Sequence, residues 1–465
     1  MTNREALMRA IRDNPDDDTP RLVYADWLDD HARGPADRAR ARFIRLQCDA
    51  ERLPEADPRR AAAQRQAADL QADHGRDWLA ALADLGWPEP EELTFSRGFV
   101  ADLPVLTHEF DFAAVADGFL RWEHVDGVTL AGPPARVTAA AAHPGLGLVG
   151  SVCVNGRADG DGFPAGAGDA TVAALAAVPR VTPLRTFLAT HAGLTDAALA
   201  LLTTAPAFRD LHRLTLERVE VTPDGLTRFR GAGFARGLRH VSVDQRPFAW
   251  PPADRGREVA AAFAAGGYDS LTTLCLAGHA LGDDGLLTLT ASSLARRLTH
   301  FRLQGDRNLV GPGVAALFDR ARWPALTVLD LMPVHVAEAD LAPLVSSDRF
   351  ATLDKFSVFL MDGTPDSAAR LAANPHVARL RTLELTGGRL GDAGARALLG
   401  SPHLSGLRRL GLNGPGISDD TLRALADPAT LPGLRELSLT YHVPLTPELR
   451  AALRRRFRGG LELDD

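Results

Sequence analysis

Residues 380–399 read LRTLELTGGRLGDAGARALL, and residues 407–426 read LRRLGLNGPGISDDTLRALA. Each opens on a leucine, places apolar residues three and five positions on, and in the first copy adds another about ten on (Leu380, Leu383, Leu385, Leu390). The +3/+5 alternation predicts a short strand with one buried face. A turn with Gly, Asp or Ser follows, then a helical stretch, and Asp and Ser at that point are read as helix N-caps.

The same phrase opens at Leu211, Leu238, Leu271, Leu298, Leu326, Leu353 and Leu434, with a weaker copy at Leu184. From Leu184 the intervals are 27, 27, 33, 27 and 28 residues, and then 27 throughout to Leu434. Chance does not hold such a period. One strand–turn–helix unit cannot bury its own apolar face, but stacked units can, with a parallel sheet on one side and helices on the other.

These units resemble leucine-rich repeats, and the period with a GD-x-G turn and a true helix is similar to the ribonuclease-inhibitor-like subclass. The resemblance implies an α/β solenoid: a curved parallel sheet with outer helices. That subclass carries Asn or Cys three residues after the last strand leucine, where the side chain bonds the turn backbone. Here Val219, His279, Val334, Gly388, Pro415 and His442 occupy those places, so the turns are expected to satisfy their backbone groups otherwise, for instance through water.

Upstream the pattern weakens. VDGVTL from Val125 and VGSVCV from Val149 keep the strand spacing, ELTFSRGFVADLPV (92–105) reads as an edge or capping strand, and LELDD from Leu461 as a final half-repeat. Residues 2–85 follow helical periods instead. Asp18 or Thr19 is expected to cap a helix with Pro20 in its first turn, placing Val23, Tyr24, Trp27 and Leu28 on one side. Further helices begin after Gly34-Pro35 and run toward Trp78. The segment NPDDDTPRLVYADWLDDHARGPADRARARFIRLQ resembles a bacterial repeat-companion domain, found at the N-terminus of planctomycete and myxobacterial repeat proteins. The resemblance covers roughly residues 3–50 and implies an architecture without a chemistry. The expected layout is a small all-α N-terminal domain (1–90) and a solenoid (91–465), degenerate over 91–183 and regular over 184–465.

Composition narrows the function. Net charge is −7 with a sequence pI near 6.1, which advertises no nucleic-acid or anionic-membrane partner. Lys355 is the single lysine. The N-terminus lacks the apolar core of a signal peptide, and no apolar stretch reaches membrane-spanning length. Cys48, Cys153 and Cys275 are odd in number, widely spaced and without metal-ligand spacing, which fits a reduced, cytoplasmic protein without disulfide.

Chemical motifs are weak. Asp16, Asp17, Asp18, Asp26, Asp29 and Asp30 could bind a metal, but carboxylates are favoured at helix starts, and Arg33 or Arg38 is expected to compensate Asp29 and Asp30. NGRADGDGFPAGAGDA (155–170) lacks the P-loop lysine and the Ca²⁺-loop glutamate, so it reads as an insertion. No HExxH or GxSxG occurs, and the cysteines have no evident activating neighbours. The expectation is no enzyme, no cofactor and no metal.

The outward positions of the strands are more suggestive. His240, Ser242, Asp244, Thr273, His300, Arg302, Gln304, Asp330, Met332, Lys355, Ser357, Phe359, Glu384 and Arg409 flank the core leucines. Met332 and Phe359 are expected as exposed apolar anchors in a charged surround, the make-up of a binding hot spot. We therefore expect a non-enzymatic binding or scaffold protein that holds a protein partner, not nucleic acid or membrane, on its concave strand face. His240, Asp244, His300, Arg302, Gln304, Asp330, Met332, Lys355, Phe359, Glu384 and Arg409 are the candidate contacts. An effector-type enzyme with its site in the N-terminal domain and a structural spacer without a fixed partner are the alternatives. The long interval after Leu238 contains RPFAWPPADRGRE (246–258), a loop whose Phe248 and Trp250 either tuck back onto neighbouring repeats or project toward a partner.

Overall fold

A computed structural model describes residues 2–54, 57–156, 162–245, 255–305, 311–332, 341, 345–359, 364–414, 416–440 and 445–463. The loop with Phe248 and Trp250, and the turn positions Val334, Pro415 and His442, lie outside the described residues. The chain forms two compact units, Met1–Val221 with Ala232–Phe234, and Thr222–Gly231 with Ala235–Asp465.

The first unit opens with helices α1 (Asn3–Asp13), α2 (Thr19–Asp30), α3 (Pro35–Arg52), α4 (Pro58–Trp78) and α5 (Ala80–Asp84). Met8, Ile11, Tyr24, Ala25, Leu28, Ala41, Ile44 and Cys48 form a core that also takes in Phe99 from the first long strand. The start of α2 differs in detail from the expectation. Asp18 stands at the N-cap without a side-chain cap bond, and Asp17 instead accepts from the Thr19 N–H at 2.8 Å. Val23 is 47% exposed rather than packed with Tyr24 and Leu28, because Arg21 takes the buried side of that turn. Asp26 and Asp29 are compensated by Arg45, at 2.7 Å each, and not by Arg33 or Arg38.

The stretch expected as one edge or capping strand is two: β1 (Phe95–Ser96) pairs antiparallel with β2 (Phe99–Leu106). Parallel pairing then runs through β3 (Val125–Ala131), β4 (Ser151–Asn155), β5 (Thr186–Thr190) and β6 (Arg213–Val219). The N-terminal segment is tied to the segments leading into β3 and β5 within the unit. Arg12 donates to the carbonyls of Leu120 (3.0 Å) and Glu123 (2.9 Å), Arg4 pairs with Glu123, and Asp16 with Arg185.

The second unit is regular. Its strands are β7 (His240–Gln245), β8 (Thr273–Ala277), β9 (His300–Gln304), β10 (Val328–Leu331), β11 (Lys355–Phe359), β12 (Thr382–Thr386), β13 (Arg409–Asn413), β14 (Glu436–Leu439) and β15 (Leu461–Leu463). All pair in parallel and in chain order. The phrase leucines (Leu271, Leu274, Leu276; Leu380, Leu383, Leu385) are buried, and each such burial stabilises the stack by about 1.5–3 kcal/mol. The α/β leucine-rich-repeat solenoid, preceded by a small all-α segment, follows from this register.

Several of its described turns and helix starts are held by side chains that reach across repeats. His279, standing where Asn is usual, is fully enclosed and donates from Nε2 to the Val243 carbonyl at 3.1 Å; burial lowers it to about 4. The aspartates read as N-caps do something else. Leu281 and Leu390 hold the N-cap positions, while the first-turn aspartates accept from the following repeat. Asp283 takes the Gly313 N–H (2.8 Å), and Asp392 the Ser418 N–H (2.7 Å) and hydroxyl (2.8 Å). Asp169 grips Thr195 in the same way in the first unit. Ser418 is a true cap, accepting from Thr421.

Candidate functional site

The period-2 code turns every second strand residue away from the leucine core, and parallel pairing aligns these residues into rows. Arg302, Asp330, Ser357, Glu384, Gly411 and Ser438 form one row, partner to partner across β9–β14, and Glu462 joins it on β15. The preceding row carries His240, Thr273, His300, Val328, Lys355, Thr382, Arg409 and Glu436.

Charge alternates across these rows and closes into a continuous ladder. Arg302 donates from Nε to Asp330 Oδ2 at 3.0 Å. Lys355 Nζ lies 4.0 Å from Asp330 Oδ2 and 3.7 Å from Glu384 Oε2. Arg409 donates from Nε to Glu384 Oε1 (2.9 Å), from Nη1 to Glu436 Oε2 (2.9 Å) and from Nη2 to Glu462 Oε2 (3.0 Å). Ser357, itself buried, donates to Glu384 Oε2 at 3.1 Å.

Burial differs along the ladder and tunes it. Asp330 keeps only 7% side-chain exposure, and that desolvation raises its pKa even though Arg302 and Lys355 pull it down. Burial also acts to raise Glu384, but Lys355, Arg409 and Ser357 outweigh it and the net direction is down. Arg409 is raised, foremost by its bond to Glu436. Both faces of this arithmetic follow from the preference of a carboxylate for cations and donors over a dry environment.

Of the expected contacts, Arg302, Asp330, Lys355, Glu384 and Arg409 are brought together. His300 is exposed on β9, lowered by desolvation and bonded through Nδ1 to the Thr299 hydroxyl at 2.9 Å. Gln304 closes the same strand, and His240 and Asp244 stand two strands earlier on β7. Met332 and Phe359 are half-buried rather than exposed: the ring of Phe359 lies against Gly387, whose φ of +73° brings the turn under it. Asp330 and Ser357 are buried as well. Glu436 and Glu462 were missed by the sequence reading. Glu436 stands one 27-residue repeat after Arg409, so extending the columns past Arg409 finds it.

Two of the thiols are held in their protonated form. Burial pushes the Cys48 thiol to about 12 and that of Cys153 to about 11, away from the thiolate a nucleophile needs. Among the described residues no three His, Cys, Asp or Glu side chains are grouped to hold a metal ion, and no helix is long and apolar enough to cross a membrane.

No family model and no curated protein matches the chain. Several solved structures are similar to it. The yeast Rad7–Elc1 complex aligns with 95% of this chain and 94% of its own at 12% identity and a TM-score of 0.47. A TLR13–ssRNA13 complex aligns with 77% of this chain and 55% of its own, at 11% identity and 0.41. An internalin from Listeria monocytogenes str. 4b F2365 aligns over 83% and 93%, at 14% identity and 0.33. All three TM-scores stand below 0.5, and the fold assignment rests on the chain's own strand register.

Proposed function

We propose that the chain is a non-enzymatic binding or scaffold protein that holds a protein partner on the strand face of the second unit. The ladder from Arg302 to Glu462 carries this reading. Surface ion pairs contribute little to stability and buried ones repay their desolvation poorly, so seven charges ordered on one face are better accounted for by recognition. Fixed, alternating charge supplies specificity and steers encounter, with Met332 and Phe359 at the next register position as the partly desolvated apolar contribution. His240, Asp244, His300 and Gln304 extend the same face over β7–β9. The N-terminal helices resemble a repeat-companion domain, and in this reading they cap the stack or make a second contact.

The test is affinity capture with the immobilised full chain from the lysate of a source organism. The wild type should retain a discrete protein that a Lys355→Glu, Met332→Ala variant retains about tenfold less, the effect of losing one interface hot spot or more. Equal capture by a variant with unchanged melting behaviour would move the site off this face.

A further inference from the structure

A second charged surface lies at the edge of the same sheet, one residue before the row that contains Lys355. The backbone N–H of each residue in this column donates to the carbonyl of the one before: Thr272 to Arg239, Thr299 to Thr272, Thr327 to Thr299, Asp354 to Thr327, Arg381 to Asp354, Arg408 to Arg381 and Arg435 to Arg408. The last three members are therefore arginines on adjacent strands, spanning roughly 10 Å at the usual strand spacing. All three are exposed. Arg381 donates to the Gly406 carbonyl (2.7 Å) and Arg435 to those of Pro432 (3.0 Å) and Leu434 (3.1 Å). The guanidinium of Arg408 has no hydrogen-bond or ion-pair partner among the described residues.

Among the described residues no carboxylate pairs with Arg381, Arg408 or Arg435. The acid of the column, Asp354, is held by Arg379 at 2.9 Å, and the neighbouring Glu436 is bound by Arg409. A further guanidinium lies close: Arg456 is lowered by burial and, against the pull of Asp427, by the charge of Arg435. The strip is thus a local run of three cations in a chain of net charge −7.

The first unit shows what such an arginine takes. Arg185 follows Leu184 as Arg381 follows Leu380 and Arg408 follows Leu407, and its column position is marked by the His212 N–H donating to its carbonyl. Its guanidinium bonds the carboxylate of Asp16, in the Asp-rich turn between α1 and α2. An arginine at the equivalent position of a repeat in the first unit thus receives an aspartate from a turn more than a hundred residues away in sequence.

We infer that Arg381, Arg408 and Arg435 form a docking strip for an acidic, extended peptide segment of a partner protein. Guanidinium groups bind carboxylates through paired, charge-assisted bonds, and a segment with carboxylates on alternate residues presents them at about 6.8 Å steps, within reach of flexible arginines on neighbouring strands. A nucleic-acid backbone is the less favoured occupant, because the anion seen on an arginine at this repeat position, Asp16 on Arg185, is a protein carboxylate. The strip is distinct from the ladder, and the inference does not rest on the proposed strand-face partner.

The experiment is fluorescence anisotropy of the full chain with a short labelled peptide alternating aspartate and serine, against the asparagine-for-aspartate peptide and a single-stranded DNA of mixed sequence. The aspartate peptide should bind, weaken with added salt, and lose about tenfold or more in affinity with Arg381→Ala, Arg408→Ala, Arg435→Ala. Arg408→Glu, which removes no hydrogen bond, is the second variant should the triple one fold poorly, and it should lose binding as well. Equal binding of the asparagine peptide, affinity unchanged by Arg408→Glu, or DNA binding tighter than peptide through the same arginines would each overturn the inference.

Discussion

The ring of Phe359 lies so close over Gly387 that a Cβ there would come within 3.2 Å of Phe359 Cζ. Gly387 has φ +73° and its N–H donates to the Asn413 carbonyl at 2.6 Å, so this turn cannot swing away without losing a bond to the next repeat. Gly387→Ala is expected to cost about 1–2 kcal/mol for the left-handed backbone alone, before any displacement of the ring. Phe359→Ala should cost about 1–2 kcal/mol, less than the loss for a fully buried ring. Urea melts measure both. A neutral Phe359→Ala would return the ring to the role of an exposed anchor, as the sequence suggested.

Asp330 and Glu384 share Lys355 but are pushed in opposite directions. Asp330 stands above its usual 3.8, so its contribution to stability is present below that value and is lost as pH rises through the folded one. Glu384 stands below its usual 4.5, so its contribution is present above 4.5 and is lost as pH falls. At neutral pH Asp330→Asn should therefore leave stability unchanged or slightly raised, while Glu384→Gln should lower it by about 1–2 kcal/mol. Denaturant midpoints at neutral pH decide it; the reverse order would mean that the Arg302–Asp330 bond outweighs the burial of Asp330.

Asp392 is lowered to about 2, foremost by the Ser418 backbone N–H. Its clamp between repeats is complete above 3.8 and released as pH falls through about 2. Asp392→Asn should melt below the wild type at neutral pH, with the difference closing over that acid window. A gap that persists below pH 2 would show that the amide fails for a steric reason.

Cys48 is buried with its thiol pushed to about 12 by desolvation. In the native chain it should resist alkylation at mildly alkaline pH and react only on unfolding, which peptide mapping after labelling reads directly. Fast labelling of native Cys48 would show that the core of α2 and α3 opens readily.

The repeat was legible because its two signals are local and repeated: leucine spacing set the strands and their faces, and the 27-residue period set the register that aligns Arg302, Asp330 and Glu384. What was not legible depends on which side chain crosses to which neighbour. Asp283 and Asp392 read as N-caps from their place in a helix start, yet their partners lie in the next repeat, a distance no local rule carries. Helical spacing put Val23 with Tyr24 and Leu28, and only the packed α2 shows Arg21 buried and Val23 exposed. Phe359 read as exposed because strand alternation assigns a face and not the turn glycine that comes to lie under it.

Lys355 is the single lysine of the chain, and it sits at the centre of the ladder with its side chain 30% exposed. Its acylation by an amine-reactive reagent therefore reports on the strand face alone among side chains. The rate of Lys355 acylation, measured by mass spectrometry in the free chain and in the captured complex, tests the central claim most directly. A partner seated on the strand face should slow the reaction about fivefold or more, as expected where an interface excludes water around a charged group. An unchanged rate at Lys355 in a saturated complex would contradict the account.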